Sequence, residues 1–248
     1  MELAVAHALV RRASTGEVNE ALRIYRPSAP VVVFGRRDTR LPGFEAAVRS
    51  ARAAGFEPLV RAVGGRPVAY TPAALVVDHV KHEPLAPEGL DSRFQYFGEL
   101  YAGLLRDSGI DARVGAVPGE YCPGAHSVNA RGVVKLVGTG QRVVRNGWLF
   151  STLIVLGDDD LLRPLLTDIY RHLDLPFDAA SVGSLSSEAS GSNADGSDAD
   201  GSNADGFDAD GFERRVVEAY GVLGPLEPAP LDDATIELAA TLSADHRA

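Results

Sequence analysis

Gly119-Glu-Tyr-Cys-Pro-Gly-Ala-His-Ser-Val-Asn-Ala-Arg-Gly-Val-Val-Lys-Leu-Val-Gly-Thr-Gly-Gln-Arg142 contains the chain's single cysteine, Cys122, and one of its two lysines, Lys135, 13 residues apart. Of 24 basic residues 22 are arginine, so Lys135 persists in a chain that otherwise avoids lysine, inside an apolar segment flanked by glycines. A thiolate attacks acyl carbonyls, and an ammonium beside it favours thiolate over thiol, which makes the two a candidate catalytic pair. Each has a plainer alternative: a lone cysteine is commonly a small buried hydrophobe, and a lysine in an apolar strand can sit at a sheet edge facing solvent. His126, four residues after Cys122, offers a general base, but a loop histidine is ordinarily just solvated.

Outward from this stretch, short β-branched runs alternate with turns. Val114, Val128, Val133 to Val137 and Trp148 to Leu156 read as strands, as do Val31 to Phe34, Glu57 to Arg61, Pro67 to Tyr70 and Leu75 to Val80. Residues 2–14 carry Leu3, Ala6, Leu9 and Val10 on one helical face and stop near Gly16; Phe44 to Ala54, Phe94 to Asp107, Leu161 to Leu173, Phe212 to Tyr220 and a last segment from Asp232 have helical periodicity. The strand spacing fits antiparallel or mixed pairing better than regular βαβ units, so an α+β fold with a mixed or antiparallel sheet flanked by helices is expected.

The 248 residues can bury one substantial core, and 45% hydrophobic content is that of a globular domain. One cysteine excludes an intrachain disulfide. The start Met1-Glu-Leu-Ala has no basic targeting region and no apolar run approaches a membrane span, so a cytoplasmic protein without a membrane partner is expected. Eight of the net ten negative charges fall in residues 188–213, leaving a nearly neutral remainder of −2, which argues against nucleic acid as a partner. That stretch repeats Ser-Asn-Ala-Asp-Gly, Ser-Asp-Ala-Asp-Gly, Ser-Asn-Ala-Asp-Gly and Phe-Asp-Ala-Asp-Gly from Ser192 to Gly211 with a period of five. It has too little apolar surface to offset its ordering entropy and fits no calcium-loop spacing. Three regions follow: a catalytic domain over 1–180, a disordered acidic insertion over 181–211, and a C-terminal helical segment over 212–248 that packs on the catalytic domain. His79 and His82 lie near Asp78 and Glu83, yet no further Cys or His completes a metal site, and none is expected.

Three separated segments, in order, carry a family likeness. Asp38-Thr-Arg-Leu-Pro42 follows one strand, Val60-Arg-Ala-Val-Gly-Gly-Arg-Pro-Val68 the next, and Pro118-Gly-Glu-Tyr-Cys-Pro-Gly124 leads into Lys135-Leu-Val-Gly-Thr-Gly-Gln-Arg142. Over roughly residues 1–165 the chain resembles the biotin/lipoate A/B protein ligase superfamily, within it the lipoate-protein ligase A family. It is most similar to the cysteine-dependent branch that moves octanoyl groups from the glycine-cleavage H protein to lipoyl domains of 2-oxoacid dehydrogenases. The resemblance implies the class II synthetase-like catalytic fold of the biotin and lipoate protein ligases.

It also implies roles. Cys122 would carry an acyl thioester that a lysine of a lipoyl-domain protein then aminolyses, with Lys135 favouring the thiolate and stabilising the acyl oxyanion. Arg61, Gly64 and Gly65 would lie against the ligand, Gly119 and Gly124 would let backbone donors approach the carbonyl, and Gly138 and Gln141 would complete the substrate site. Val63, Val68 and Val137 are candidates for the octanoyl or lipoyl slot. Partners would be 2-oxoacid dehydrogenase acyltransferase subunits and the glycine-cleavage H protein, with no cofactor needed. Arg61 making only a surface ion pair, and Gly64-Gly65 only a tight turn, are the plain alternatives.

The chain departs from the family pattern at Val63, Arg66-Pro67 and Thr71, and at Asn146-Gly-Trp-Leu-Phe-Ser151, where the family's histidine-glycine is absent. These departures weaken an ATP- and magnesium-dependent lipoate ligase reading more than a cysteine transferase reading. A third reading is a lipoyl-carrier binding protein that has lost turnover.

Overall fold

The computed structural model describes residues 1–192 and 207–248. A six-stranded sheet, in the order β1-β5-β9-β8-β7-β6, is antiparallel throughout. Its strands are β1 (Glu20–Tyr25), β5 (Ala74–His82), β6 (Ala112–Val114), β7 (Val128–Ala130), β8 (Val134–Val144) and β9 (Gly147–Val155). A second sheet of β2 (Val31–Phe34), β3 (Glu57–Val60) and β4 (Val68–Tyr70) pairs β2 parallel to β3 and antiparallel to β4. The α+β expectation holds, with most pairing antiparallel.

Each face of the large sheet is covered, which is why β5 and β9 read as long apolar runs rather than alternating ones. One face packs on α3 (Leu90–Arg106) and α6 (Ala209–Gly221) through Phe97, Tyr101, Phe150, Phe212 and Tyr220. Part of the other is covered by α1 (Glu2–Thr15), which buries Val5, Leu9 and Val10 and ends at Gly16 in the left-handed conformation, φ 81°. The small sheet packs on α2 (Phe44–Ala53) and α4 (Asp159–His172).

The C-terminal helices pack against α3 and α1. The hydroxyls of Tyr101 and Tyr220 lie 3.0 Å apart, and Arg12 of α1 reaches Asp232 and Thr235 at the start of α7 (Asp233–Leu242). The expected boundary at residue 181 needs correction. Val182 and Leu185 are wholly buried, Val182 bridges to Lys135, Gly183 packs on Val134, and α5 (Leu185–Ser192) continues the fold. The Ser- and Gly-rich composition hid two buried apolar anchors. At its other end Phe207 packs on Phe212 and α6 begins at Ala209; the remainder of the expected insertion, residues 193–206, lies outside the described residues. Strand β1 also went unforeseen, because its edge position leaves Glu20-Ala-Leu-Arg-Ile-Tyr25 without fully buried residues. Among the described residues no helix is long and apolar enough to cross a membrane.

The α1 edge of the core contains a buried histidine pair. His7 Nδ1 lies 3.2 Å from His246 Nε2, and His246 Nδ1 lies 2.7 Å from the Val60 carbonyl oxygen. Burial, then the nearby Arg142 charge, pushes the His7 pKa down to about 4 from its ordinary 6.5. A folded pKa below the unfolded one means that the unfolded chain takes up the proton first. The pair's stability is therefore full above pH 6.5 and is lost as pH falls toward 4. Thermal midpoints should fall over that window, and His7→Gln should flatten the fall.

Candidate active site

The geometry around Cys122 begins with an irregularity in the sheet. Between β7 and β8, Val128 pairs with Val137 and Asn129 with Lys135, so Leu136 is an extra residue, a β-bulge. Regular alternation from Lys135 would place Val137 and Gln141 on its face. The bulge reverses the alternation beyond it: Leu136 and Val137 both pack toward α3, while Lys135 and Gly138 face the opposite side. Two expectations fail for this one reason. Val137 is a core residue of the α3 side, not part of the acyl slot. Gln141 is bonded to Arg93 Nε at 3.1 Å and the Leu90 carbonyl at 2.8 Å, away from the site.

Lys135 is 2% exposed. Its ammonium donates to the carbonyl oxygens of Cys122 at 2.8 Å and Tyr121 at 3.1 Å and pairs with Glu120 at 2.9 Å. It is not an edge lysine facing water. Glu120, also buried, is the hub of the cysteine loop: it accepts the N–H groups of Val117 and Gly124 and the hydroxyl of Ser127. The Gly124 N–H is thus engaged within the loop. Gly119, at φ 73°, packs on Asp178, whose N–H donates to its carbonyl. Both glycines shape the loop and neither lines the pocket, contrary to the expectation that their N–H groups meet an acyl carbonyl.

Cys122 itself has φ 44°, an uncommon left-handed conformation for a residue with a side chain. Its N–H donates to the Tyr170 hydroxyl at 2.6 Å, which in turn donates to the Pro67 carbonyl at 2.9 Å. Helix α4 thereby ties the cysteine loop to the diglycine loop. From that second loop, Arg61 Nη2 and the Arg66 N–H each donate to Cys122 Sγ at 3.3 Å. Gly65, at φ 114°, permits this approach: a Cβ there would lie 2.3 Å from Arg61 Nη2 and 2.7 Å from Sγ. No such demand falls on Gly64, where a Cβ would meet nothing. Buried Asp38 accepts the Gly35 N–H and Arg66 Nη1, both at 2.8 Å, and Arg142 donates to the Ala62 carbonyl, so the loop is held from both sides.

Burial alone would push the Cys122 thiol pKa up. The Arg61 guanidinium and Lys135 ammonium, with the Arg66 N–H, outweigh that and hold it below the ordinary thiol value. The rate of Cys122 alkylation by iodoacetamide should therefore rise with pH around a midpoint below ~8.5, the value of an ordinary cysteine. Arg61→Gln should move that midpoint upward. An unshifted midpoint in the native protein would contradict the electrostatic account.

The sulfur opens on a mainly apolar pocket lined by Val33, Val63, Val68, Tyr70, Val76 and Leu153 among others. Arg61, Cys122, Lys135 and Gly138 lie on the same lining. Thus Cys122, Lys135, Arg61, Gly65 and Gly138 come together, and Val63 and Val68 lie on the same pocket lining. Thr71, where the family pattern is acidic, donates to Asp158 Oδ2 at 2.6 Å. His126 stacks on Phe94, and His79 lies 2.6 Å from Glu20. Among the described residues no group of three His, Cys, Asp or Glu could hold a metal ion. Sequence reading missed Glu120, Tyr170, Arg66 and Asp38 as site residues. Asp38 and Glu120 stood inside quoted motifs, and a carboxylate among glycines and prolines was the available signal.

No family model matches the chain. A protein of Geobacillus kaustophilus named octanoyl-GcvH:protein N-octanoyltransferase is 28% identical over 144 residues, 58% of this chain and 50% of that protein. One of the same name from Exiguobacterium sp. is 32% identical over 135 residues, 54% of this chain and 47% of its own length. The chain spans about half the length of these curated relatives. A crystal structure of lipoate-protein ligase A bound with ATP superposes with TM-score 0.70 at 18% identity, covering 97% of this chain and 87% of that one. Ta0514 of T. acidophilum, described as a lipoate protein ligase and solved with bound lipoic acid, gives TM-score 0.71 at 17% identity, covering 98% and 89%. The chain shares the fold of these two structures, and in sequence it is similar to the octanoyl-GcvH:protein N-octanoyltransferases.

Proposed function

We propose that the protein is an octanoyl or lipoyl transferase that carries the acyl group on Cys122 and passes it to a lysine of a lipoyl-domain protein. The observation that carries this reading is the sulfur itself: a thiol held below its ordinary pKa by two cations and a backbone N–H, at the wall of an apolar pocket. The Cys122 thiolate attacks the acyl carbonyl, and Arg61 is the cation beside the sulfur for the oxyanion, since Lys135 spends its three N–H groups on the Tyr121 and Cys122 carbonyls and Glu120. Collapse of the tetrahedral intermediate expels the donor's leaving group and leaves a thioester. An unprotonated acceptor amine then attacks it, an amide bond forms, the thiolate leaves, and the amine's proton passes to solvent. Each methylene buried among Val63, Val68 and Leu153 contributes about 0.8 kcal/mol of binding.

Acyltransferases that resemble this chain in sequence suggest the partners: the glycine-cleavage H protein and the acyltransferase subunits of 2-oxoacid dehydrogenases. The test is intact mass after incubation with an octanoyl donor protein in the absence of ATP. A gain of one octanoyl group that neutral hydroxylamine removes supports the thioester. The fold shared with an ATP-bound ligase favours a second reading, in which lipoate and ATP form an acyl-adenylate and Cys122 is incidental. Modification of a lipoyl domain only when ATP, magnesium and lipoate are supplied, without any adduct on the enzyme, would select it.

A further inference from the structure

Helix α4 carries Leu162, Leu165, Leu166, Ile169 and Tyr170 on its buried stripe, so the Tyr170 ring is fixed in the core, 1% exposed and 4.9 Å from the Phe177 ring. Its hydroxyl reaches the site. A phenol has one O–H to donate and lone pairs with which to accept. The Pro67 carbonyl can only accept and the Cys122 N–H can only donate, so the two bonds, 2.9 Å and 2.6 Å, use the hydroxyl in both senses at once.

These bonds close a circuit with the sulfur. Pro67 follows Arg66, whose N–H donates to Cys122 Sγ at 3.3 Å, and Sγ belongs to the residue whose N–H Tyr170 accepts. The distance from Sγ to the Arg66 N–H is thus held from a point outside both loops. Cys122 needs the hold, because it sits at φ 44°, and a strained backbone persists only where its surroundings over-determine it. Lys135 fixes the Cys122 carbonyl at 2.8 Å, and Tyr170 fixes the N–H of the same residue. With the second hold gone, rotation about the Cys122 N–Cα bond changes where Sγ lies relative to the Arg66 N–H.

We propose that Tyr170 is a positioning residue for the nucleophile: by holding the Cys122 N–H and the Pro67 carbonyl on one hydroxyl it keeps Sγ on the Arg66 N–H, and the reactivity of the thiolate depends on it. This deepens the transferase reading and rests on it for the use to which the thiolate is put. The donors to the sulfur itself are Arg61 and Arg66, so the phenol acts on Sγ through the backbone. The charged groups around the sulfur are Arg61 and Lys135, with Glu120 and Asp38 as the partners of Lys135 and Arg66, and Tyr170→Phe removes no charge and no bond of theirs.

Tyr170→Phe keeps the ring and deletes one oxygen. The midpoint of Cys122 alkylation by iodoacetamide should rise by about one pH unit, the scale of one hydrogen bond to a charged group. Acyl transfer to a lipoyl domain should fall about 10- to 100-fold in kcat with the KM for the octanoyl donor protein nearly unchanged, and the loss should shrink as pH is raised past the new midpoint. A tyrosine that serves only stability would lower the thermal midpoint and leave the alkylation midpoint where it was; that result, or transfer as fast as in the native protein, overturns the inference. Should the variant fail to fold, the native protein decides. Its Cys122 amide should exchange hydrogen at least about a hundredfold more slowly than an unstructured amide, and exchange at the unstructured rate overturns the inference. A raised alkylation midpoint in Tyr170→Phe, with no thioester ever formed on native Cys122, would sink the transferase reading alone; a thioester formed equally fast by Tyr170→Phe, with an unmoved midpoint, would sink the inference alone.

Discussion

Cys122→Ala is expected to lower acyl transfer to a lipoyl domain by at least about 10⁴-fold while leaving the thermal midpoint nearly unchanged, the scale seen when a covalent nucleophile is removed. The small stability effect follows from what the sulfur touches. Arg61 Nη2 also donates to the Arg66 carbonyl at 2.7 Å, so it keeps one partner when Sγ is lost. Cys122→Ser separates this mechanism from base-assisted catalysis. A serine hydroxyl needs a neighbouring base to become a nucleophile, and none of the groups that contact Sγ can take its proton: they are a guanidinium and a backbone N–H. Serine should therefore be nearly as inactive as alanine, whereas a thiol whose pKa is lowered by the neighbouring cations reaches its thiolate without a dedicated base. ATP-dependent lipoylation retained in Cys122→Ala, measured by lipoyl-domain mass, would show that the thioester is not on the path.

How much of this was legible in the sequence depends on distance along the chain. Local signals held: Gly16 ends α1, the β-branched run Val31–Phe34 is a strand, and Cys122 with Lys135 stand together as their rarity suggested. Features set by cross-strand pairing were not legible. The bulge at Leu136 leaves no mark in composition or period, yet it decides that Gly138 and not Val137 lines the pocket and that Gln141 turns away. Gly119 and Gly124 were correctly singled out as loop glycines but given ligand roles, because sequence shows where a backbone can bend and not which partner its N–H meets. Glu120 satisfies that loop; a carboxylate among glycines and prolines marked it as a candidate, but its partner Lys135, 15 residues away, was not readable from it.

That pair sets the second large effect. Lys135→Met keeps the apolar stem of the side chain and removes its ammonium, and two losses should follow. Transfer should fall and the Cys122 alkylation midpoint should rise together, because Lys135 is one of the two cations that lower it; each unit of rise is about a tenfold loss of thiolate below the midpoint. Stability should also fall by about 3–5 kcal/mol, since the side chain of Glu120 is 0% exposed and would be left as a buried charge without its cation. Chemical denaturation of Lys135→Met and of the double variant Lys135→Met with Glu120→Gln distinguishes the two losses. A neutral amide still accepts from the Val117 and Gly124 N–H groups, so the double variant should recover most of the lost stability. It should not recover transfer, because no charge has been returned to the sulfur. Recovery of both would reduce Lys135 to a counter-ion for Glu120, leaving Arg61 as the cation that prepares the thiolate; recovery of stability alone places the ammonium in the chemistry.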